Sequence, residues 1–207
     1  MEKYKKLQKD FYLRSSIIVA KELLGKILIR KKGKKIYSGI IVETEAYTGR
    51  NDPAAHSFGG MTKRNEVMFN EGGVCYVYFT YGSHYCVNVV TGAKDTPHAV
   101  LIRGVEPLDG ISYMMKNRNT DNTYNLTNGP GKLTKAMEID FSLNGESLED
   151  DKIFIAESAE STGKNKNKII KSKRIGITKN PDKLWRFYVD NNPFVSRINI
   201  NRIIKKS

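Results

Sequence analysis

No stretch of this chain is apolar for long enough to cross a bilayer. Met1 to Asp10 is polar and mixed in charge, without the apolar core of a secretory leader. A cytoplasmic protein is therefore expected, or a nuclear one if the source is eukaryotic. Cysteine is scarce: the chain has two, Cys75 and Cys86, each inside an apolar and aromatic run. They read as reduced, small core residues rather than a disulfide or a metal pair. His84 lies near Cys86, but no Cys-x-x-Cys or His-x-x-x-His spacing occurs, so no metal site is expected. Acid is short as well. Against 35 Lys and Arg stand 22 Asp and Glu, a net charge of +13. Either a polyanionic partner, most simply nucleic acid, or a solvated and self-repelling surface accounts for that excess. Internal repeats and long linkers are missing too, so residues 1–207 read as one domain. With 39% apolar residues it has enough to build a core.

What is present centres on Ile41-Val-Glu-Thr-Glu-Ala-Tyr47, continuing to Asp52-Pro-Ala-Ala-His-Ser57. The apolar start reads as a strand. Successive strand side chains alternate between faces, so Glu43, Glu45 and Tyr47 project together. Two carboxylates and a phenol are costly to bury unless something pairs with them. Either the strand end surfaces into water or these groups line a site. Before it, Ser16 to Leu24 suits a short helix ending at Gly25, and Lys26 to Arg30 reads as a strand. The turn Lys31-Lys-Gly-Lys-Lys35 either grips phosphates or is simply hydrated. After it, Asp52 as N-cap and Pro53 at the first helical position predict one helical turn carrying His56.

Val74 to Tyr81 and His84 to Thr91 are β-rich runs about a Gly82-Ser83 turn, which predicts a hairpin. Tyr81 stands at its tip, where it suits a wedge between stacked bases rather than core packing. A two-residue loop, Gly82-Ser83, sets Tyr78 opposite Val87. A three-residue loop, Gly82 to His84, sets it opposite Asn88, and one residue of slip exchanges the faces. Ala99 to Arg103 is an apolar strand ending in an arginine that needs a carboxylate. Glu43, Glu45 and Glu106 are the candidates. Helices are expected over Ile111 to Arg118 and Leu133 to Met137, the second with an N-terminus that suits an anion. Strands are expected over Ile153 to Ala156, Ile169 to Ile177 and Trp185 to Val189. Ser161 to Lys168 is a lysine-rich loop, and Lys171, Lys173 and Arg174 extend its positive charge.

An acidic and phenolic strand, an arginine strand and a tyrosine-tipped hairpin in a basic chain resemble the alkyladenine (3-methyladenine) DNA glycosylases, the monofunctional family. The matching stretches include Val42 to Tyr47, Asp52 to Ser57, Thr62 to Asn65, Gly72 to Gly82, Cys86 to Asn88, Val100 to Arg103, Glu106 to Leu108, Gly129 to Leu133 and Pro193 to Ser196. Together they run from about residue 23 to 196. The resemblance implies an α+β fold: a single domain with a mostly antiparallel, curved sheet (a roll or open barrel), short flanking helices and a protruding β-hairpin. It implies that Glu45 is the general base that activates water, with Arg103 beside it. It places Tyr47, His56 and Tyr78 around a base flipped from the duplex, Asn88 against a guanine amino group, and Tyr81 in the gap left behind. Thr62, Arg64 and Lys132 are assigned to the DNA backbone. The partner is double-stranded DNA with damaged purines, met by a monomer without cofactor or metal.

These residue types suit that chemistry. A base inside a duplex must be rotated out before it is cut, as the glycosylases do. A cationic purine such as 3-methyladenine is drawn to aromatic faces. Cleavage of the N-glycosidic bond builds positive charge on the sugar, which a carboxylate stabilises while it polarises water. The resemblance places no lysine for a Schiff base, so hydrolysis to an abasic site is expected, without strand cleavage. A non-catalytic nucleic-acid binding module would use the same charge and tyrosines. A hydrolase pairing Glu43 with Glu45 is the third reading.

Overall fold

The computed structural model describes residues 4–80, 82–158 and 168–196. Tyr81 and most of the lysine-rich stretch 161–168 lie outside the described residues. The expected architecture is found. One curled sheet, antiparallel at every pairing, is flanked by short helices. The strands are β1 (Ile27–Lys32), β2 (Lys35–Tyr47), β3 (Cys75–Thr80), β4 (His84–Thr91), β5 (His98–Pro107), β6 (Ile153–Ala156), β7 (Ile169–Ser172) and β8 (Arg186–Val189). Their order is β3-β4-β5-β2-β1-β6, with β8 paired to both β2 and β7.

β2 is long enough to serve three neighbours. Residues Lys35 to Ile40 pair with β1, and Glu43 to Glu45 pair with β8. Along the other edge, β5 pairs with β2 from Gly39 to Tyr47. The turn from β1 to β2 is Gly33-Lys34, with Gly33 at φ 58. Three of the lysines about it are paired with carboxylates. Lys32 and Lys35 reach Glu138 at 3.0 and 3.1 Å, and Lys31 reaches Asp151 at 3.4 Å.

Among the described residues, the α-helices are α1 (Lys9–Tyr12), α2 (Ser16–Glu22), α3 (Ile111–Arg118) and α4 (Pro130–Ala136). α2 buries Val19 and Ala20 against β2, where Thr44 Oγ1 donates to the Ala20 carbonyl at 2.8 Å. The main core takes one sheet face: Cys75 and Val77 from β3, Val87 and Val89 from β4, Val100 and Ile102 from β5, with Leu133 and Met137 near α4. Both cysteines are free and buried.

A pair of opposed bulges frees the opposite face for a site. Ile41 pairs with Val105, Glu43 with Gly104 and Thr44 with Ile102, so Val42 and Arg103 are each skipped. A bulge shifts the side-chain alternation by one residue and re-aims the rest of the strand. In β2, Tyr37 and Ile41 face the core, yet beyond the bulge it is Ala46 that does so. Glu43, Glu45 and Tyr47 are thereby turned to the other face together. They are not hydrated at a strand end, because both carboxylates are fully buried.

Gly104 is required where the bulges meet. A Cβ there would stand 2.7 Å from the Phe194 carbonyl oxygen and 3.5 Å from Glu43 Oε2. Gly104→Ala is expected to lose about 1–3 kcal/mol by overpacking, read as a lower denaturant midpoint.

Three local expectations fail. Thr80 pairs with His84, so Tyr78 faces Cys86, neither Val87 nor Asn88. Tyr78 and Asn88 nonetheless share a face, because Tyr76 pairs with Asn88 two residues along the ladder. Residues 52–57 form successive turns rather than a helical turn. The Asp52 carboxylate does accept the Ala54 amide at 3.2 Å, but it is committed chiefly to Arg174. The strand expected over 169–177 stops at Ser172, because Arg174 and Ile175 bond to β2-side groups instead.

Candidate active site

The even-numbered residues of β3 and β4 open a cavity on the face away from the main core. It has a volume of about 790 Å³, within the range of small-ligand sites. Tyr76, Tyr78, Cys86 and Asn88 line it from the hairpin, Tyr47 and Arg103 from the central strands, and His56 from the loop after β2. Lys132 and Pro130 close one side, and Ile175, Gly176 and Ile177 another.

The aromatic wall is closely packed. The His56 and Tyr78 ring centroids lie 4.4 Å apart with planes at 70°, and Tyr76 lies 5.3 Å from Tyr78. His56 Nδ1 is 3.1 Å from the Tyr76 hydroxyl. Asn88 is fixed by donating Nδ2–H to the Tyr76 carbonyl at 3.1 Å. Burial pushes the Tyr76 phenol up to about 12, and burial above all raises those of Tyr78 and Tyr47, so the wall stays uncharged at neutral pH. Burial of the His56 ring, with Arg64 nearby, pulls its pKa down and keeps the imidazole neutral.

That direction has a consequence for stability. A histidine with a lowered folded pKa contributes stability that is complete above about 6.5, its unfolded value, and is lost as pH falls through the lowered one. Wild-type protein is expected to lose more denaturant stability between pH 7 and pH 5 than a His56→Gln variant. Parallel pH titrations of the denaturant midpoint check it.

Glu45 is wholly buried, directly behind the cavity lining. Its Oε2 accepts from the Tyr47 hydroxyl at 2.9 Å and from Arg103 Nη1 at 3.3 Å. Its Oε1 accepts from the Ile175 amide at 2.7 Å. All three donors belong to residues that line the cavity. A carboxylate has about four lone-pair sites, so one on Oε1 is left for a further donor.

Glu43 plays a different part. Its Oε1 accepts from Arg103 Nε (3.1 Å), Arg186 Nε (2.7 Å) and Ser196 Oγ (2.8 Å), and its Oε2 from the Ser196 amide (2.7 Å). It clamps the closing segment to the sheet. Arg103 bridges both glutamates. Burial alone would lower its pKa, but Glu45 and Glu43 outweigh that and raise it. Glu106, the third candidate partner, binds Asn192 instead.

Of the expected site residues, Tyr47, His56, Tyr78, Asn88, Arg103 and Lys132 meet at the cavity, with Glu45 behind it. Lys132 is held between the side-chain carbonyls of Asn125 (2.5 Å) and Asn128 (2.9 Å). Thr62 and Arg64 are exposed and do not line it. Arg64 leans on the hairpin, donating to the Phe79 carbonyl at 3.1 Å, with its guanidinium 5.9 Å from the Tyr78 ring. Tyr81 lies outside the described residues. Sequence reasoning gave no role to Tyr76, Ile175 or Arg186. Tyr76 shares its parity with Tyr78, which was a usable signal. A backbone donor at Ile175 leaves no trace in residue type. Arg174 was grouped with a basic surface run, yet it is 6% exposed and paired with Asp52.

An aromatic cavity lies in front of a fully buried carboxylate and its arginine, in a basic α+β protein. The sequence profile of the methylpurine-DNA glycosylases matches residues 10–193. A relative from Prosthecochloris aestuarii is 50% identical over 190 residues, 91% of this chain and 90% of its own. One from Chlorobium phaeobacteroides is 49% identical over 192 residues, 92% and 95% of the two chains. One from Desulfitobacterium hafniense is 46% identical over 205 residues, 93% and 98%. All three carry the provisional name 3-methyladenine DNA glycosylase. The chain belongs to the methylpurine-DNA glycosylase family. It is thus a DNA-binding hydrolase of N-glycosyl bonds, serving DNA repair.

Proposed function

We propose that this protein, as a monomer, extrudes an alkylated or deaminated purine from double-stranded DNA into the aromatic cavity and hydrolyses its N-glycosidic bond. In this reading Tyr47, His56 and Tyr78 hold the base, Asn88 disfavours a guanine amino group, and Tyr81 fills the vacated stack. Glu45 orients water toward C1′ of the sugar. The C1′–N bond breaks with its electron pair leaving on the base, the water oxygen bonds to C1′, and Glu45 takes the proton. An N-alkylated, cationic purine leaves as a neutral base, so no acid is needed for it; a neutral one such as hypoxanthine leaves as an anion and takes a proton from solvent water. Arg64 and Lys132 carry part of the salt-dependent affinity for phosphates. The product is an abasic site in an intact strand. The work takes place in the cytoplasm if the source is bacterial, or in the nucleus if eukaryotic.

The observation that carries this reading is the buried Glu45 carboxylate bonded to three residues of the cavity lining. Preorganised charge in a dry site is the largest single contribution available to such a reaction. The test is a panel of duplexes carrying 3-methyladenine, hypoxanthine or 1,N6-ethenoadenine. Release of at least one free base is expected. Duplex binding with no release from any of them would leave only the non-catalytic reading.

A further inference from the structure

Arg174 ties the end of β2 to the loop that follows it and to Trp185, which lies far from both in sequence. Its Nη1 and Nη2 grip Asp52 Oδ2 and Oδ1 at 2.5 and 2.9 Å, a two-pronged pair. Nη1 also donates to the Ala46 carbonyl at 3.0 Å. The guanidinium lies 4.6 Å from the Tyr47 ring centroid and 5.2 Å from that of Trp185. Asp52 is fully buried and opens the run of turns that carries His56. The residue after Arg174 is Ile175, whose amide donates to Glu45.

Such an arrangement is costly as mere scaffolding. Arg174 Nε is buried and has no hydrogen-bond partner among the described residues. Leaving a charged group's donor unmet in the interior is unfavourable. A buried ion pair is often no more stabilising than apolar residues of the same volume. What a planar guanidinium supplies, and an apolar side chain or a lysine does not, is a fixed fork with a face that stacks.

We propose that Arg174 is a positioning residue for base excision. This inference rests on the role given to Glu45 above. By fixing Asp52 on one side and the face of Tyr47 on the other, Arg174 sets the spacing between the wall carrying His56 and the wall carrying Tyr47. By fixing its own backbone it keeps the Ile175 amide on Glu45. It is not a surface phosphate contact.

The test uses full-length protein and a duplex whose base the wild-type protein releases in the panel. Arg174→Lys keeps the charge but loses the fork. Asp52→Asn loses the partner's charge. For each, single-turnover release is measured at saturating protein, alongside affinity for a duplex with a tetrahydrofuran abasic analogue. Rates are taken on the fraction that binds that duplex, so unfolded protein does not count. Each variant is expected to slow release by about 10–100-fold, the scale of a small misplacement of reacting groups. Affinity should stay within about threefold, and the double variant should be no slower than the slower single one, as a shared function requires. Release within about threefold of wild type in either variant overturns the proposal. So does a loss of rate matched by an equal loss of affinity, which would mark a DNA contact. If wild-type protein releases no base, or Glu45→Gln still does, the reading of the site fails instead, and separately.

Discussion

Replacing Glu45 by glutamine is expected to stop base release while leaving duplex binding nearly intact. Glutamine keeps the shape and one carbonyl acceptor. It loses the negative charge that stabilises a developing sugar cation and the capacity to take water's proton. Removing a positioned base and its charge lowers rate by about 10²–10⁴-fold in enzymes of comparable logic. The effect on stability should be much smaller. Arg103 keeps its second carboxylate, Glu43, at 3.1 Å. The Ile175 amide keeps an acceptor if the glutamine carbonyl faces it; the NH2 then meets the Tyr47 hydroxyl, which can rotate to accept, and Arg103 Nη1, which cannot, and that contact sets the remaining cost. Single-turnover release and equilibrium binding, measured on one preparation, separate the two effects. Retained release would remove Glu45 from its role.

Glu43→Gln should do the reverse. Glu43 is as deeply buried as Glu45, but it accepts four hydrogen bonds, two of them from arginines. Arg186 is 8% exposed, and Glu43 is its one carboxylate partner among the described residues. An amide at position 43 would leave that guanidinium uncompensated and aim an NH2 group at other donors. Breaking a buried pair in this way costs about 3–5 kcal/mol. For a chain of this length that is a drop of about 6–20 °C in melting temperature. Protein that remains folded should still release base. A melting temperature within a few degrees of wild type would show that the clamp is not what holds the closing segment.

The two glutamates illustrate how far sequence can be read. Alternation along β2 placed Glu43, Glu45 and Tyr47 on one face, and the need to pair buried charge pointed Arg103 at them. Both inferences hold because they depend on local geometry and on the cost of unpaired charge. Which glutamate is saturated and which backs the cavity depends on Ile175, Arg186 and Ser196, which lie 130, 143 and 153 residues from the carboxylates they meet, and nothing local announces them. The hairpin itself was legible, but its register was not. Either Gly82-Ser83 or Gly82 to His84 suited the turn, whereas Thr80 pairs with His84, a register that neither loop gives. Arg174 was misread for a similar reason. Its neighbours Lys171 and Lys173 are exposed, and only the fold reveals that the third cation points inward to Asp52.

The most direct measurement is a crystal structure of the Glu45→Gln protein bound to a duplex carrying 1,N6-ethenoadenine. The lesion base should lie in the cavity between Tyr47, His56 and Tyr78. The substituted amide at position 45 should reach C1′ through one water, about 3 Å to each side. A lesion still stacked in the duplex, or held elsewhere on the protein with the cavity empty, would contradict the account.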